Sequence, residues 1–198
     1  MHVVRIWYGA LQKKQVHKWL RQRDKWQKCT GYHASFKKIW KEKEMDYKEI
    51  FIKVIINTLK ELLAVDFIYE ELAPTPKYKS TKEITSQISM FGPDHEGMII
   101  LNLDREIVRF LYNKSSLENF EDDDYMIEDF CGELTNIVSG KFIEFLDIDI
   151  NISLPMINFD AIQYSTLRKN HFDVFRFHDN MGHDIFMYTY LTNLSKGF

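Results

Sequence analysis

The sequence predicts an α/β domain of the α+β kind, built from long helices and antiparallel β-hairpins. Residues 46–64 and 127–145 repeat apolar side chains every three or four positions, as helices with one buried side do. Residues 83–103 and 171–192 contain extended runs joined by turn residues, as β-hairpins do. The chain of 198 residues is 45% apolar and 28% charged, which is ordinary for a globular domain. It has no apolar run of the ~18 to 20 residues that a membrane span needs, so no membrane partner is expected.

The charge of the chain is unevenly divided. Residues 1–44 hold twelve Lys/Arg against three Asp/Glu, a net +9, together with all four tryptophans. The remaining 14 basic and 26 acidic residues give −12. This break predicts a basic, Trp-rich N-terminal extension, 1–44, joined to a separate domain, 45–198.

Two interpretations of the extension stay open. It is either a non-native or disordered segment upstream of a natural start at Met45, or an arm that contacts nucleic acid or a membrane surface. Interleaved Lys/Arg and Trp/Tyr can neutralise phosphates and stack on bases. The acidic remainder of the chain argues against nucleic acid as a partner.

The two cysteines predict neither a disulfide nor a zinc site. Cys29 and Cys131 are far apart, match no metal-ligand spacing, and Cys131 falls on the apolar side of a predicted helix. A cytoplasmic location is therefore expected.

The first helix is predicted over 46–64. Asp46 can cap its N-terminus, and Glu49 lies in the first turn, where a negative charge is favourable. A short strand is predicted next, over 66–72, and Pro74 is expected to end it.

A β-hairpin follows. Residues 83–90 alternate between apolar and polar, residues 98–103 form the partner strand, and turn residues fill 92–97. His95 lies in this turn, so we interpret it as a solvated side chain and not as a ligand. A short helix is then predicted over 104–112.

An acidic cluster, 118–124, precedes the central helix. Carboxylates at a helix N-terminus are stabilised by the helix dipole by ~0.3 to 1 kcal/mol each, which is sufficient reason for them. The alternative is that Asp122, Asp123 and Asp124 hold a divalent ion. Consecutive carboxylates diverge in direction and no supporting ligand pattern surrounds them, so we prefer the dipole explanation.

Three more strands are predicted, over 149–158, 171–177 and 184–192, with a turn at 179–182. The aromatic residues of the last two predict a sheet packed on one face. Histidines flank this hairpin at uneven spacing, which favours ordinary strand-end positions over a metal site: His171, His178 and His183.

The central helix, 127–145, carries the candidate functional residues. At 100° per residue its apolar residues fall on one side: Ile127, Phe130, Cys131, Leu134, Ile137, Val138, Phe142 and Phe145. Asp129, Glu133, Asn136 and Gly140 fall on the other side and follow one another along a single ridge, here called the ridge. Asn and Gly inside a helix cost about 0.7 and 1 kcal/mol relative to Ala, so stability does not explain them.

The pattern Asp129-x3-Glu133-x2-Asn136 resembles the signature of the CheC/CheX/FliY chemotaxis phosphatases, and most closely that of CheX. In that family an Asp or Ser, a Glu and an Asn have this spacing on a long exposed helix. The surrounding elements are similar in order, down to Pro155 in the strand after the motif helix. The likeness covers roughly residues 45–198. The helix at 46–64 lacks a second Glu-x-x-Asn, as in single-site CheX.

The resemblance implies both a fold and a reaction. The fold is a six-stranded antiparallel sheet with long helices on one face, in a homodimer joined through its sheets. The reaction is hydrolysis of the aspartyl phosphate of a CheY-like response regulator, in chemotaxis or another two-component pathway. Asn136 would orient the attacking water and Glu133 would pair with the regulator's lysine, while Asp129 and Gly140 shape the docking ridge. Mg²⁺ is expected on the regulator, with no metal or cofactor on this chain.

A second function class stays open, a binding module that docks a response regulator or flagellar protein without hydrolysis. Docking alone would not demand a carboxamide at position 136, so the sequence favours the enzyme.

Overall fold

The structure is a computed structural model that describes residues 46–74, 82–115, 120–146, 148–160 and 171–194. The predicted extension, 1–44, lies outside these residues, so the division into two parts stays a prediction.

Within the described residues the chain forms two types of element in the predicted α+β pattern. The helices are α1 (Tyr47–Leu63), α2 (Arg105–Ser115) and α3 (Asp124–Leu146). The strands are β1 (Ile68–Leu72), β2 (Ile84–Phe91), β3 (His95–Leu103), β4 (Asn151–Ile152), β5 (Met156–Asn158), β6 (Asp173–His178) and β7 (Asp184–Asn193).

The strands form one antiparallel sheet in the order β1-β6-β7-β3-β2, with β4 and β5 both paired to the outer edge of β2. The two short strands stand where one was predicted over 149–158. The chain bends between them, and Ser153 holds the bend because its N–H donates to the Ser89 carbonyl at 2.9 Å. The predicted six-position antiparallel sheet is thus confirmed, with its last position split in two.

The β2–β3 turn is shorter than predicted. β3 begins at His95 instead of residue 98, which leaves a turn of three residues, 92–94, and moves His95 from the turn to the strand. The sequence misled here because Gly97 resembles a turn residue. Its role is close packing, since a Cβ at Gly97 would lie 2.5 Å from the Tyr190 carbonyl oxygen of the neighbouring strand.

All three helices pack on the same face of the sheet and bury the main core. α1 begins after Asp46, as predicted, where the Asp46 side chain accepts a hydrogen bond from the Lys48 N–H. α1 and α3 are joined by the rings of Phe51 and Phe142, whose centroids lie 5.2 Å apart edge to face. In the described part of the chain no helix is both long and apolar enough to cross a membrane.

The face of the sheet away from the helices carries a second cluster of buried side chains: Ile100, Phe172, Val174, Phe186 and Tyr188. Side chains alternate across a strand, so the aromatic residues of β6 and β7 divide between the two faces. The helices pack on one face, as expected, while the aromatic residues of these strands line both faces.

Candidate functional site

Acidic residues fix the start of α3. The Asp123 carboxylate accepts a hydrogen bond at 2.8 Å from a backbone N–H of the first turn and so caps the helix. Asp122 and Asp124 pair with Arg105 at 3.0 and 2.5 Å, and Asp122 also pairs with Arg109 at 2.9 Å. The sequence analysis explained the acidic cluster by the helix dipole alone. It did not foresee these two arginines, which lie on α2.

The buried side of α3 lies closer to β2 than the apolar pattern predicted. Its buried residues are Ile127, Cys131, Gly132, Leu134, Thr135, Val138, Ser139 and Phe142. Phe130, Ile137 and Phe145 are only half-buried. The difference arises because two small polar residues, Thr135 and Ser139, take positions against the sheet that apolar side chains were expected to fill.

A buried polar contact fixes the rotation of α3 about its own axis relative to the sheet. The Thr135 hydroxyl oxygen lies 2.7 Å from both the Ser86 hydroxyl of β2 and the Cys131 carbonyl. Burial raises the pKa of the Cys131 thiol to about 12, so this cysteine is an inert core residue. The opposite side of α3 is thereby held toward solvent.

The ridge lies on that solvent side, as predicted. Asp129, Asn136 and Gly140 are exposed, and Glu133 is half-buried. Among the residues that the structure describes, none forms a hydrogen bond or ion pair with the side chains of Asp129, Glu133 or Asn136. A carboxylate and a carboxamide three residues apart are therefore available to an external molecule.

The two ridge carboxylates are electrostatically unsatisfied. Loss of surrounding water raises the pKa of Glu133, and the charge of Asp129 raises it further. The pKa of Asp129 is raised by the same kind of desolvation and by Glu128. A cation placed on the ridge would relieve both effects, so the ridge favours a partner that brings a lysine or arginine.

The bend between β4 and β5 packs directly against α3. A Cβ at Gly132 would lie 3.3 Å from Ile157 Cδ1 and 3.4 Å from Pro155 Cγ, so the bend touches the helix backbone there. The sequence analysis assigned Gly132 no role. The available signal was a glycine in a helix interior, where it costs about 1 kcal/mol relative to Ala.

The other sequence candidates do not join this site. His178 ends β6, and His183 places Nδ1 2.8 Å from Asp179 Oδ2 while its ring stacks on Phe110. The His183–Asp179 contact lies within the β6–β7 hairpin, and the stacking on Phe110 joins the hairpin to α2. In the described ranges no group of three or more His, Cys, Asp or Glu is arranged to hold a metal ion.

The ridge can supply only part of a reaction. An amide can accept from and donate to a water molecule, and a carboxylate can bind a cation. The arrangement suits a surface that completes the active site of another protein.

The family model described as "Chemotaxis phosphatase CheX" matches residues 84–170. No curated protein sequence matches the chain significantly.

Solved structures with the same fold include CheC-like and CheX proteins. A CheC-like superfamily protein from Shewanella sp. PV-4 is 18% identical with a TM-score of 0.63, over 76% of this chain and 100% of that one. The chemotaxis protein CheX from Vibrio vulnificus is 16% identical with a TM-score of 0.63, over 75% of this chain and 100% of that one.

CheX from Borrelia burgdorferi, solved in a CheX–CheY–BeF3–Mg²⁺ complex, is 23% identical with a TM-score of 0.60, over 76% of this chain and 100% of that one. The family-model match and the shared fold confirm that this chain is CheX-like, similar to the CheX/CheC-like chemotaxis phosphatase proteins.

Proposed function

We propose that this chain is a phosphatase that hydrolyses the aspartyl phosphate of a CheY-like response regulator. The observation that carries the proposal is the pairing of Glu133 and Asn136, outward-facing and without partners among the described residues, on the long helix of a CheX-like domain. A CheY-like partner is supported by the Borrelia burgdorferi CheX structure, which is a complex with CheY, BeF3 and Mg²⁺.

Asn136 orients the attacking water. Its amide oxygen accepts a hydrogen bond from the water and its nitrogen donates toward the phosphoryl group, which holds the water in line with the bond that breaks. Hydrolysis of an acyl phosphate by a positioned water needs no covalent intermediate on this chain. Positioning alone can supply a large part of the rate enhancement.

Glu133 pairs with the lysine of the regulator. The raised pKa of its carboxyl group reflects a site where negative charge is poorly solvated, and a lysine ammonium compensates for that. Asp129 adds negative charge one turn earlier. Gly140 leaves an open place on the ridge, because a Cβ there would meet nothing within 4 Å. These two residues shape the surface on which the regulator docks.

The metal in this reaction belongs to the partner. We place Mg²⁺ on the regulator, where its own carboxylates hold it against the phosphoryl group, and none on this chain. The family resemblance also leads us to propose a cytoplasmic homodimer joined through its sheets. Sedimentation equilibrium on the full chain tests the dimer independently of the activity.

The deciding experiment measures phosphate loss from a purified, phosphorylated CheY-like regulator with and without the protein. Asn136→Ala should lower the rate about 100-fold or more, the usual scale for loss of a positioned hydrogen-bonding group. Its free energy of unfolding should stay the same or rise by up to about 0.7 kcal/mol, since Ala is the better helix former.

Asn57→Ala is the matched control, because Asn57 is also an exposed helical asparagine but lies on α1. It should match Asn136→Ala in stability and keep full activity. Equal rates for wild type and Asn136→Ala would contradict the proposed role of Asn136. Binding of the regulator by wild type without any phosphate loss would instead make the chain a docking module.

A further inference from the structure

Gly132 is buried inside α3 at a place where the sheet edge touches the helix. A Cβ there would lie 3.3 Å from Ile157 Cδ1 and 3.4 Å from Pro155 Cγ. The Ile157 distance is tighter than ordinary van der Waals contact, so that side chain would have to move by a few tenths of an ångström, whereas the Pro155 distance is at the limit of ordinary contact. At this glycine, Pro155 of the β4–β5 bend and Ile157 of β5 therefore lie against the helix backbone, where a Cβ would fill the remaining space.

The bend that makes this contact is held from the β2 side. Ser153 exchanges two hydrogen bonds with Ser89, since the Ser153 N–H donates to the Ser89 carbonyl at 2.9 Å and the Ser153 hydroxyl accepts from the Ser89 N–H at 3.0 Å. Pro155 adds a ring that fixes its own φ angle. The surface against Gly132 is therefore stiff.

The same contact lies next to Asn136. Four residues advance a helix by one turn and about 40° around its axis, so Asn136 lies one turn after Gly132 and is rotated from it toward the exposed side. Side chains of a helix lean toward its N-terminus, and this brings the Asn136 amide back over the turn that carries Gly132 and Glu133. Pro155 bounds that turn on one side.

Thr135 and Cys131 hold the helix in this orientation. Each is the chain neighbour of a residue in the site, and the Thr135 hydroxyl lies 2.7 Å from the Ser86 hydroxyl and from the Cys131 carbonyl. The helix thus has little freedom to rotate away from β2. The motion that remains possible at this position is rotation of the Asn136 side chain.

We propose that Gly132 and Pro155 are positioning residues for Asn136, with the ring of Pro155 acting as a wall that restricts the amide to the orientation needed by the attacking water. This inference rests on the proposed phosphatase function. Gly132 leaves the space in which the Pro155 ring lies against the helix, and the Pro155 ring limits the orientations of the Asn136 amide. A restricted amide loses less conformational freedom when it binds water and phosphoryl group, which favours the reaction step over docking.

The test compares Gly132→Ala and Pro155→Ala with wild type, using a phosphorylated regulator as substrate. Both variants should lower kcat by about 10-fold, because displacements below 1 Å in a reacting geometry cost up to about 100-fold. KM should stay within about 2-fold, since the ridge that docks the regulator is unchanged. The double variant should lose no more than the worse single variant, because both act through one contact.

The side-chain amide of Asn136 gives a second measurement that mere destabilisation would not change. Its NMR signals should be better ordered in wild type than in Pro155→Ala, at a temperature where both are folded. Pro93→Ala is the matched control, since Pro93 lies in the exposed β2–β3 turn. It should change neither kcat nor the Asn136 signals.

The outcomes separate the two proposals. If wild type removes no phosphate from any regulator, the phosphatase function fails. If wild type is active and Asn136→Ala is inactive, but Gly132→Ala and Pro155→Ala keep wild-type kcat and Asn136 order, the positioning role is wrong and the function stands. A rise in KM with unchanged kcat would also overturn it, because the contact would then serve docking.

Discussion

The two long helices α1 and α3 lie on the same face of the sheet but differ in whether their polar side chains have partners within the protein. On α1, charged side chains find partners within the protein, as in the pairs Lys60–Asp66 at 2.7 Å and Glu61–Lys141 at 2.7 Å. On the ridge of α3, the side chains of Asp129, Glu133 and Asn136 have no such partners among the described residues. These charged side chains of α1 are thus paired within the protein, whereas the polar side chains of the ridge on α3 are available to another molecule, as the proposed function requires.

The asparagines of the two helices make the same point. Asn57 and Asn136 are both exposed, so exposure alone does not mark a site. Three residues before Asn57 stands Val54, which is buried in the core, whereas three residues before Asn136 stands Glu133. What distinguishes the proposed site is thus the pair of Glu133 and Asn136 and not an exposed asparagine alone.

The largest expected change in stability concerns the contact between α1 and α3. Phe142→Ala should lower the free energy of unfolding by about 3 to 5 kcal/mol, because it removes a fully buried ring that contacts Phe51. Urea denaturation measures this change. Tyr125→Ala, on the exposed first turn of the same helix, should stay within about 0.5 kcal/mol. A loss below about 1 kcal/mol in Phe142→Ala would show that this side of α3 is not the core side.

A smaller effect of opposite sign is expected on the ridge. Gly140→Ala should raise the free energy of unfolding by about 1 kcal/mol, because alanine is the better helix former and its Cβ would meet nothing within 4 Å. Thermal unfolding gives the shift. Gly182→Ala should instead destabilise, since Gly182 has φ +89° in the β6–β7 turn. Destabilisation by Gly140→Ala would mean that the ridge is more closely packed than the structure shows.

The smallest effect is a pH dependence of the ridge. The pKa of Glu133 is raised in the folded chain, so between its unfolded pKa and its folded pKa the folded state binds more protons than the unfolded state. The stabilisation of the folded state that comes from protonated Glu133 is therefore fully present below the unfolded pKa. It is lost as the pH rises through the folded pKa and the carboxyl group ionises. Glu133→Gln removes this titration and should be more stable than wild type at neutral pH, by up to about 0.5 kcal/mol.

Urea denaturation of both proteins from mildly acidic to neutral pH measures this difference. The gap should widen as the pH rises. A gap that stays constant, or one that narrows toward neutral pH, would show that the Glu133 carboxylate is already stabilised within the protein.

Local sequence patterns were enough for the helices and for the ridge. The apolar spacing of 46–64 and 127–145 predicted α1 and α3, and the arrangement of Glu133 and Asn136 on an exposed side followed from helix geometry alone. The catalytic and docking roles of the ridge residues remain predictions.

Contacts between distant parts of the chain were beyond the sequence pattern. Neither the strand order nor the division of the strand predicted over 149–158 into β4 and β5 is a property of any one segment. The pairs of Arg105 with Asp122 and Asp124 depend on how α2 meets the start of α3.

What the sequence determined by itself is the helices, the approximate positions of most strands and the composition of the ridge, because periodicity is a property of neighbouring residues. What only the tertiary structure decided is which surfaces meet that ridge. The contact of Pro155 with Gly132 joins positions 23 residues apart. Such contacts form only when the chain packs, since they depend on the relative placement of elements and not on local conformation.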